Sequence, residues 1–267
     1  MHANLFDRYE QGQSLIHRLD PRLKLVLAVL FILSNVLLPD GAWLAFLLAW
    51  GLVLAISLVA GLGLWYPVKR SFLALPFVLA AVTAIFALPG RPVAVWEWGP
   101  WRLVATDAGL LRFISVVIRS WLSVQVAILL VAVTQFPDLV HALRHLHVPG
   151  VLVAVISFMY RYLFVLADEA MRLMRARQAR SARSQQGSAG GTLAWRAKVT
   201  GNMAGQLFLR SYERSERVYN AMLARGYQGQ LLTLNPHQMS ARDWVLGGLM
   251  VAFLALLQVI ARLQILG

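Results

Sequence analysis

Two histidines four residues apart are the first candidates for chemistry in this chain. His141 and His145 would share one face of a helix, and His147 follows closely. Imidazoles at this spacing can bind a metal ion. No acidic or cysteine third ligand accompanies them, and a solvated helix face accounts for the same pattern. The spacing is therefore consistent with two interpretations: a pair of histidines that binds a metal ion, and a solvent-exposed helix face with no ligand.

Arginines are the second candidates. Arg175, Arg177, Arg180 and Arg183 form a basic run, and Arg225 lies within the phrase Ala224-Arg225-Gly226. Glycine can take the left-handed conformation that ends a helix, and a cation suits the negative end of the helix dipole. The planar guanidinium also makes paired hydrogen bonds to carboxylates or carbonyls. An arginine at a helix tip is therefore predicted to plug into a groove on another protein.

Two other ligands compete for the basic run. Anionic lipid headgroups bind basic segments beside membranes. Single-stranded nucleic acid would need aromatic residues interleaved with the arginines, and residues 175–183 contain none. Lipid therefore remains open beside a protein partner, whereas nucleic acid is not expected.

Motifs for catalysis are missing from the sequence. There is no Gly-x-x-x-x-Gly-Lys-[Ser/Thr] loop, no Gly-x-Ser-x-Gly and no His-Glu-x-x-His, and the glycine-rich stretch 187–191 lacks the lysine of a phosphate loop. No cluster of Asp or Glu falls within an apolar run, which weighs against an ion relay inside the chain. We expect neither catalysis nor a bound cofactor in this chain.

Composition indicates the class of protein that must position these residues. Of 267 residues, 59% are hydrophobic and 14% charged, against about 25% charged in soluble domains. Mean hydropathy is +0.63. Cysteine is absent, which excludes disulfides and thiolate chemistry, and the net charge is +13. These values predict a membrane protein with a basic partner-binding region.

Apolar runs predict an all-α membrane protein with about five transmembrane helices. Asp20 and Pro21 form a helix start before the first run, and Pro76 predicts a kink in the third. Residues 93–104 alternate in a way that allows a small hairpin, although we expect an interfacial loop rich in tryptophan. The runs cover residues 25–38, 42–64, 72–88, 110–136 and 244–266.

Charge predicts the orientation. Segment 168–242 carries 12 Lys and Arg against four acidic residues, so the positive-inside rule places it in the cytoplasm together with the N-terminus. Residues 151–167 are apolar, yet a crossing there would export the basic segment. We therefore expect them to be the buried half of a long cytoplasmic helix. The predicted domains are a four-span domain 1–136, a cytoplasmic domain 137–242 and a last span 243–267.

Two further features bear on the cytoplasmic domain and the spans. Residues 192–227 show a helical stripe of Val199, Met203, Leu207, Tyr212, Tyr219 and Met222. Gly201 and Gly205 have the small-x-x-x-small spacing that permits close approach of another helix, although chance explains such a pair equally well. Arg119 lies deep in the fourth run and is predicted to face protein or water.

Four stretches carry a resemblance to a known family. They are His-Arg-Leu-Asp-Pro-Arg-Leu-Lys at 17–24, the short helix 138–149, the basic run 174–181 and the long phrase 209–227 that ends in Ala-Arg-Gly-Tyr. Together with the span pattern, the chain resembles the transmembrane coupling subunit EcfT of energy-coupling-factor ABC importers, and in particular the cobalt-type subunit CbiQ.

The resemblance implies a role and two motifs. Family members carry two X-Arg-X motifs, at the ends of two crossing helices, that dock into paired cytoplasmic ATPases. Ala224-Arg225-Gly226 matches the second motif. The first matches Ala179-Arg180-Ser181 or its repeat Ala182-Arg183-Ser184, where serine stands in place of the glycine often found. Both candidates remain open, with Arg180 preferred.

The same resemblance implies the partners. They are a CbiO-like dimer of P-loop ATPases that binds ATP and Mg²⁺, a CbiM-like substrate-binding membrane subunit, a small CbiN-like subunit and membrane lipid, all at the inner membrane of a prokaryote. Cobalt(II) is the expected substrate, with nickel or a vitamin as rivals. Two unrelated roles stay open: a self-contained carrier, and a membrane anchor whose basic domain binds lipid.

Overall fold

A computed structural model describes residues 9–98, 101–180, 192–229 and 239–266. These residues are helical apart from turns and one two-stranded hairpin, which confirms the predicted all-α membrane class. The chain divides into two compact units. One contains the described residues within Leu143–Leu234, and the other contains those within Asp7–Ala142 and Asn235–Gly267. The predicted domain bounds 1–136, 137–242 and 243–267, and the cytoplasmic placement of 137–242, stay predictions.

The helices and strands follow in chain order. Their bounds are α1 Leu15–Arg18, α2 Pro21–Val36, α3 Trp43–Val59, α4 Trp65–Arg70, α5 Leu75–Ala81, α6 Thr83–Ala87, β1 Pro92–Trp98, β2 Trp101–Thr106, α7 Asp107–Val133, α8 Phe136–His145, α9 Gly150–Arg180, α10 Leu193–Ala224 and α11 Ala241–Leu266.

The start of α2 confirms the predicted helix signal. The Asp20 carboxylate accepts a hydrogen bond from the Arg22 backbone N–H at 2.8 Å, and Pro21 occupies the first helical position. There proline loses no intrahelical hydrogen bond. The helix ends before a turn in which Gly41 has φ of 82°, a conformation that favours glycine.

The prediction that residues 72–88 form a single kinked span is wrong. Residues 71–87 form a 3-10 turn at Ser71–Ala74 and the two short helices α5 and α6. Residues 65–70, which lie between the second and third predicted runs, form the short helix α4. Closely spaced breaks explain the difference, since Pro76 lies at the start of a helix instead of inside one and Val82 separates α5 from α6.

The interfacial loop expected at 93–104 is also wrong, and the hairpin alternative is correct. Strands β1 and β2 pair antiparallel, with Val95 opposite Val104. The hairpin leads directly into α7, whose first turn is capped by Thr106: its hydroxyl accepts from Gly109 N–H at 3.1 Å and donates to Leu88 C=O at 2.8 Å. The alternation of residue types in this segment therefore correctly indicated a pair of strands.

The larger unit has one apolar core, formed by α2, α3, α7 and α11. Small residues of α3 lie in this core: Ala45 and Ala49 are fully buried in the same cluster as Phe31 of α2 and Leu122 of α7. Small residues permit close approach of helices in membrane bundles, where packing rather than water exclusion drives association. Leu257 of α11 belongs to the same core, so the last helix packs with the N-terminal helices.

Arg119 of α7 faces protein, as predicted. Its guanidinium lies 2.6 Å from the Asp40 carboxylate, and it also approaches the Phe46 ring, 5.8 Å from guanidinium carbon to ring centroid. A paired charge is far less costly at membrane depth than an isolated one. The residue that a self-contained carrier would have used to line a path is thus held in an ion pair.

Three helices in the described ranges are long and apolar enough to cross a membrane. They are α7, α9 and α11, and α3 is a shorter apolar helix of 17 residues. Helix α9 is one continuous helix, as predicted. The expected burial of its first half is wrong, since Val151, Val155 and Met159 are 69%, 56% and 59% exposed. This apolar surface is available for lipid or another subunit to cover.

Candidate functional site

The end of α10 is built for a projecting arginine. Gly226 has φ of 79°, which confirms its predicted left-handed conformation. Its N–H donates to Leu223 C=O at 3.0 Å, and the Tyr227 N–H donates to Met222 C=O at 3.0 Å. These two bonds are the Schellman pattern, which satisfies carbonyls that the helix end would leave unpaired.

Arg225 occupies the C-cap position of this motif. Its side chain is exposed, and we find no side-chain hydrogen bond or ion pair for it within the described parts of the chain. The cap is closed by backbone groups alone, so the guanidinium remains available to a partner. Two other arginines of α10 have acidic partners within the chain: Arg210 contacts Glu169 at 2.8 Å, and Arg217 lies 3.9 Å from Glu213.

The described part of α9 includes Arg180, so the preferred first motif places its arginine on this long helix. Ala179 and Arg180 are both exposed. Ser181 and the alternative motif Ala182-Arg183-Ser184 lie outside the described residues. The choice between Arg180 and Arg183 therefore stays a prediction.

Two polar contacts join α9 and α10. The Arg177 guanidinium donates to the Thr200 hydroxyl at 3.1 Å, and the Arg210 guanidinium donates to the Glu169 carboxylate at 2.8 Å. The contact nearer the C-terminus of α9, at Arg177, is made to the residue nearer the N-terminus of α10, Thr200. The helices therefore run antiparallel. No motif in the sequence revealed these pairs, because each joins residues on different helices.

Antiparallel packing separates the two arginine ends. Arg180 lies three residues beyond Arg177, which contacts Thr200, and Arg225 lies 25 residues beyond Thr200. At 1.5 Å per residue, the two ends are roughly 40 Å apart along α10. Such a separation suits two separate docking grooves and exceeds what a single small pocket could hold.

Gly201 and Gly205 do not mediate the predicted helix crossing. A Cβ atom added at either position would meet nothing within 4 Å. Thr200 and Arg210 make the contacts to α9, and the two glycines lie on another side of α10. The spacing of the two glycines indicated that one face of α10 carries no bulky side chain at these positions, but it could not indicate which face of α10 packs against α9.

The predicted stripe on α10 is correct only in part. Val199, Met203 and Leu207 are partly buried, whereas Tyr212 and Tyr219 are 56% and 55% exposed. At 100° per residue, Tyr212 is rotated about 140° from Leu207, so it could not share that face. The helical periodicity of the sequence was therefore sufficient to exclude Tyr212 from the stripe.

The histidine pair falls on α8 as expected. His141 is half-buried and His145 is exposed, and both take part in interactions within the chain. Among the described residues there is no cluster of three or more metal-ligating side chains. The pair therefore remains a two-ligand pattern.

Comparison with known proteins decides the family. The sequence profile of the CbiQ family, described as cobalt transport protein, matches residues 12–236. The chain belongs to the CbiQ family. A CbiQ-family relative in Brevibacillus brevis, named energy-coupling factor transporter transmembrane protein EcfT, is 30% identical over 83% of this chain and 84% of its own length. The family resemblance drawn from the sequence is thus confirmed.

Two other relatives match almost the whole chain. The EcfT protein of Lacticaseibacillus paracasei is 27% identical over 95% of this chain and 97% of its own length. An uncharacterised protein of Methanocaldococcus jannaschii is 27% identical over 98% of this chain and 85% of its own. The matched length therefore spans both units of the fold.

Proposed function

We propose that this CbiQ-family protein is the transmembrane coupling subunit of an energy-coupling-factor importer for cobalt(II). Its role is to transmit the motion of cytoplasmic ATPases to a separate substrate-binding membrane subunit. The chain itself carries out no catalysis. ATP and Mg²⁺ belong to the partner ATPases, and recognition of the substrate belongs to the membrane partner.

One observation carries this proposal. Two long antiparallel helices, α9 and α10, carry the exposed arginines Arg180 and Arg225, which lie roughly 40 Å apart along the helix axis. A pair of rigid helices held by only a few polar contacts can shift as levers. Rigid elements with two arrangements are the usual physical means of transmitting motion between sites.

The mechanism follows from this geometry. Arg180 and Arg225 each dock into a groove of one ATPase subunit, where the guanidinium makes bidentate hydrogen bonds. ATP draws the paired ATPases together, and the two helix ends are carried with them. The helices then change their mutual angle, because their contacts at Thr200 and Glu169 are exposed polar pairs that can exchange partners.

The exposed half of α9 supports a membrane partner. Val151, Val155 and Met159 belong to a helix apolar enough to cross a membrane, and the same helix carries Arg180. Motion at the arginine end therefore reaches an apolar surface suited to lipid or to a hydrophobic subunit. We propose a CbiM-like subunit there, with CbiO-like ATPases at the arginines and the N-terminus in the cytoplasm of a prokaryotic cell.

Co-purification tests the proposal. The tagged, detergent-solubilised chain is expected to retain a P-loop ATPase and a small membrane protein from its native host. The double variant Arg180→Ala/Arg225→Ala is expected to lose the ATPase while still inserting in the membrane. Arg217→Ala is the matched control, because Arg217 is also an exposed arginine of α10 but is paired to Glu213.

The alternatives give different results. A lipid-binding anchor spreads its charge over many residues, so the double variant would retain its membrane behaviour and no ATPase would be recovered with the wild type. A nickel or vitamin importer would retain the ATPase but would not take up radiolabelled cobalt(II) in reconstituted vesicles. Retention of the ATPase by the double variant would refute docking through these two arginines.

A further inference from the structure

A buried lysine lies where three helix termini meet, away from the arginine ends. Lys24, in the first turn of α2, is only 8% exposed. Its ammonium group donates to His17 C=O at 3.0 Å and to Val133 C=O at 3.1 Å. An ammonium group is costly to bury, so burial implies that its partners are well placed.

Val133 is the last residue of α7. Carbonyl groups in the final turn of a helix have no partner within the helix and lie at the negative end of its dipole. Two of them are satisfied from the N-terminal part of the chain: Ala132 C=O accepts from Glu10 N–H at 3.0 Å, and Val133 C=O accepts from Lys24. The end of α7 is therefore pinned by two donors from outside the helix.

Carboxylates balance the lysine. Asp20, which caps α2, donates its own N–H to the Asp243 carboxylate at 3.4 Å, and Asp243 also accepts from the Ser240 N–H and hydroxyl at 2.8 and 2.9 Å. Both carboxylates attract the Lys24 ammonium, as does that of Asp138 on α8. The start of α11 is thereby tied to the same point.

This point adjoins the short helix α8. Only Thr134 and Gln135 separate the end of α7 from the first residue of α8, Phe136. Thr134 has an extended backbone, with φ of −137° and ψ of 126°. The direction in which α8 leaves the bundle therefore depends on how firmly the last turn of α7 is held.

We propose that Lys24 is a positioning residue for coupling: its ammonium clamps the end of α7 to the starts of α2 and α11 and so fixes the origin of α8. The inference rests on the proposed coupling function. A clamp of this kind holds the last turn of α7 and the first residues of α8 rigid. Methionine would fill the same volume without donating a hydrogen bond, so the clamp and simple packing can be separated.

The test uses the complete purified complex and the Lys24→Met variant. Loss of charged hydrogen bonds is expected to speed amide hydrogen exchange in residues 134–142 by at least about tenfold, with little change in α3. Lys69→Met is the matched control, since Lys69 is an exposed lysine on the short helix α4 of the same unit. In reconstituted vesicles, the ATP hydrolysed per cobalt(II) imported is expected to rise severalfold, because the ATPases continue to turn over without moving a well-anchored lever.

The outcomes separate the claims. Unchanged exchange in Lys24→Met would overturn the clamp. Faster exchange with an unchanged ratio of ATP to cobalt(II) would overturn its role in coupling. A wild-type complex that hydrolyses ATP without import would refute the proposed function. The comparison of amide exchange between Lys24→Met and the wild type would still test the clamp in that case.

If Lys24→Met does not fold, a second pair of variants tests the premise of the proposal, that the end of α7 is pinned by donors from outside the helix. Glu10→Pro removes the N–H that Ala132 C=O accepts, whereas Glu10→Ala keeps it. Both variants lose the carboxylate that lies 3.6 Å from Arg70, so only the backbone donor distinguishes them. Faster exchange in 134–142 for Glu10→Pro alone supports a pinned α7 end, and equal exchange in the two variants overturns it.

Discussion

Replacement of Arg225 by alanine tests the central claim about the arginine ends most directly. The Schellman motif at the end of α10 is closed by backbone hydrogen bonds from Gly226 and Tyr227, so alanine at position 225 leaves it intact. The exposed guanidinium has no intramolecular partner in the described ranges. The chain itself therefore loses only the favourable interaction of a cation with the helix dipole, about 0.5 kcal/mol.

The expected effect on partner binding is much larger. Arginines that anchor protein interfaces cost about 2–4 kcal/mol when truncated, which corresponds to an affinity for the ATPase lower by about 30- to 700-fold. Lysine at position 225 retains the charge but lacks the planar fork, so Arg225→Lys is expected to lose part of this affinity. The contrast between a small effect on folding and a large effect on binding is the specific prediction.

Titration of the purified ATPase against the detergent-solubilised chain measures this affinity, and thermal unfolding of the chain measures its stability. Arg217→Ala serves as the control on the same helix. An affinity of Arg225→Ala within threefold of the wild type would refute docking through Arg225. Equal losses in Arg225→Ala and Arg217→Ala would reduce the interaction to general positive charge.

Three further variants test the fold around the site. Gly226→Ala forces a side chain into left-handed backbone, so it is expected to destabilise the end of α10 by about 1–2 kcal/mol, measured as faster amide exchange in residues 222–227. Gly201→Leu is expected to leave the pairing of α9 and α10 unchanged, because the position is open, and to raise helix stability by about 0.5–1 kcal/mol; a lower melting temperature would show that α9 does pack there. Arg119→Leu leaves Asp40 without its ion-pair partner and is expected to cost about 2 kcal/mol, whereas Arg119→Leu with Asp40→Leu is expected to recover most of it in the same thermal unfolding assay.

Local signals in the sequence predicted much of the fold. The Asp20 cap, the Gly226 terminator and the long apolar pattern of α7 each depend on residues within a few positions of one another. Backbone hydrogen bonds of a helix join residues four apart, so such signals are readable along the chain. The membrane class followed from composition alone, since 59% hydrophobic and 14% charged residues leave too little polar surface for a soluble fold.

Errors arose where several short signals competed. The run 72–88 was apolar enough for a span, yet it folds as a 3-10 turn and two short helices. Residues 93–104 carried an alternating pattern that was outweighed by their tryptophans, and they form a hairpin. Hydropathy indicates whether a segment can lie in lipid, but it does not indicate whether its backbone forms one continuous helix. It therefore could not distinguish a single span from two short helices at 72–88, or a loop from a hairpin at 93–104.

The sequence by itself predicted a helical membrane protein that resembles the CbiQ family, with arginines on two long helices. Only the tertiary structure decided which faces meet. The Arg119–Asp40 pair joins residues 79 positions apart, and the Asp20–Asp243 bond joins residues 223 apart. Such pairings depend on how helices pack in space, whereas periodicity and capping depend on neighbours along the chain. The open face at Gly201 and the buried ammonium of Lys24 belong to the same class, because each is defined by what another helix does or does not place beside it.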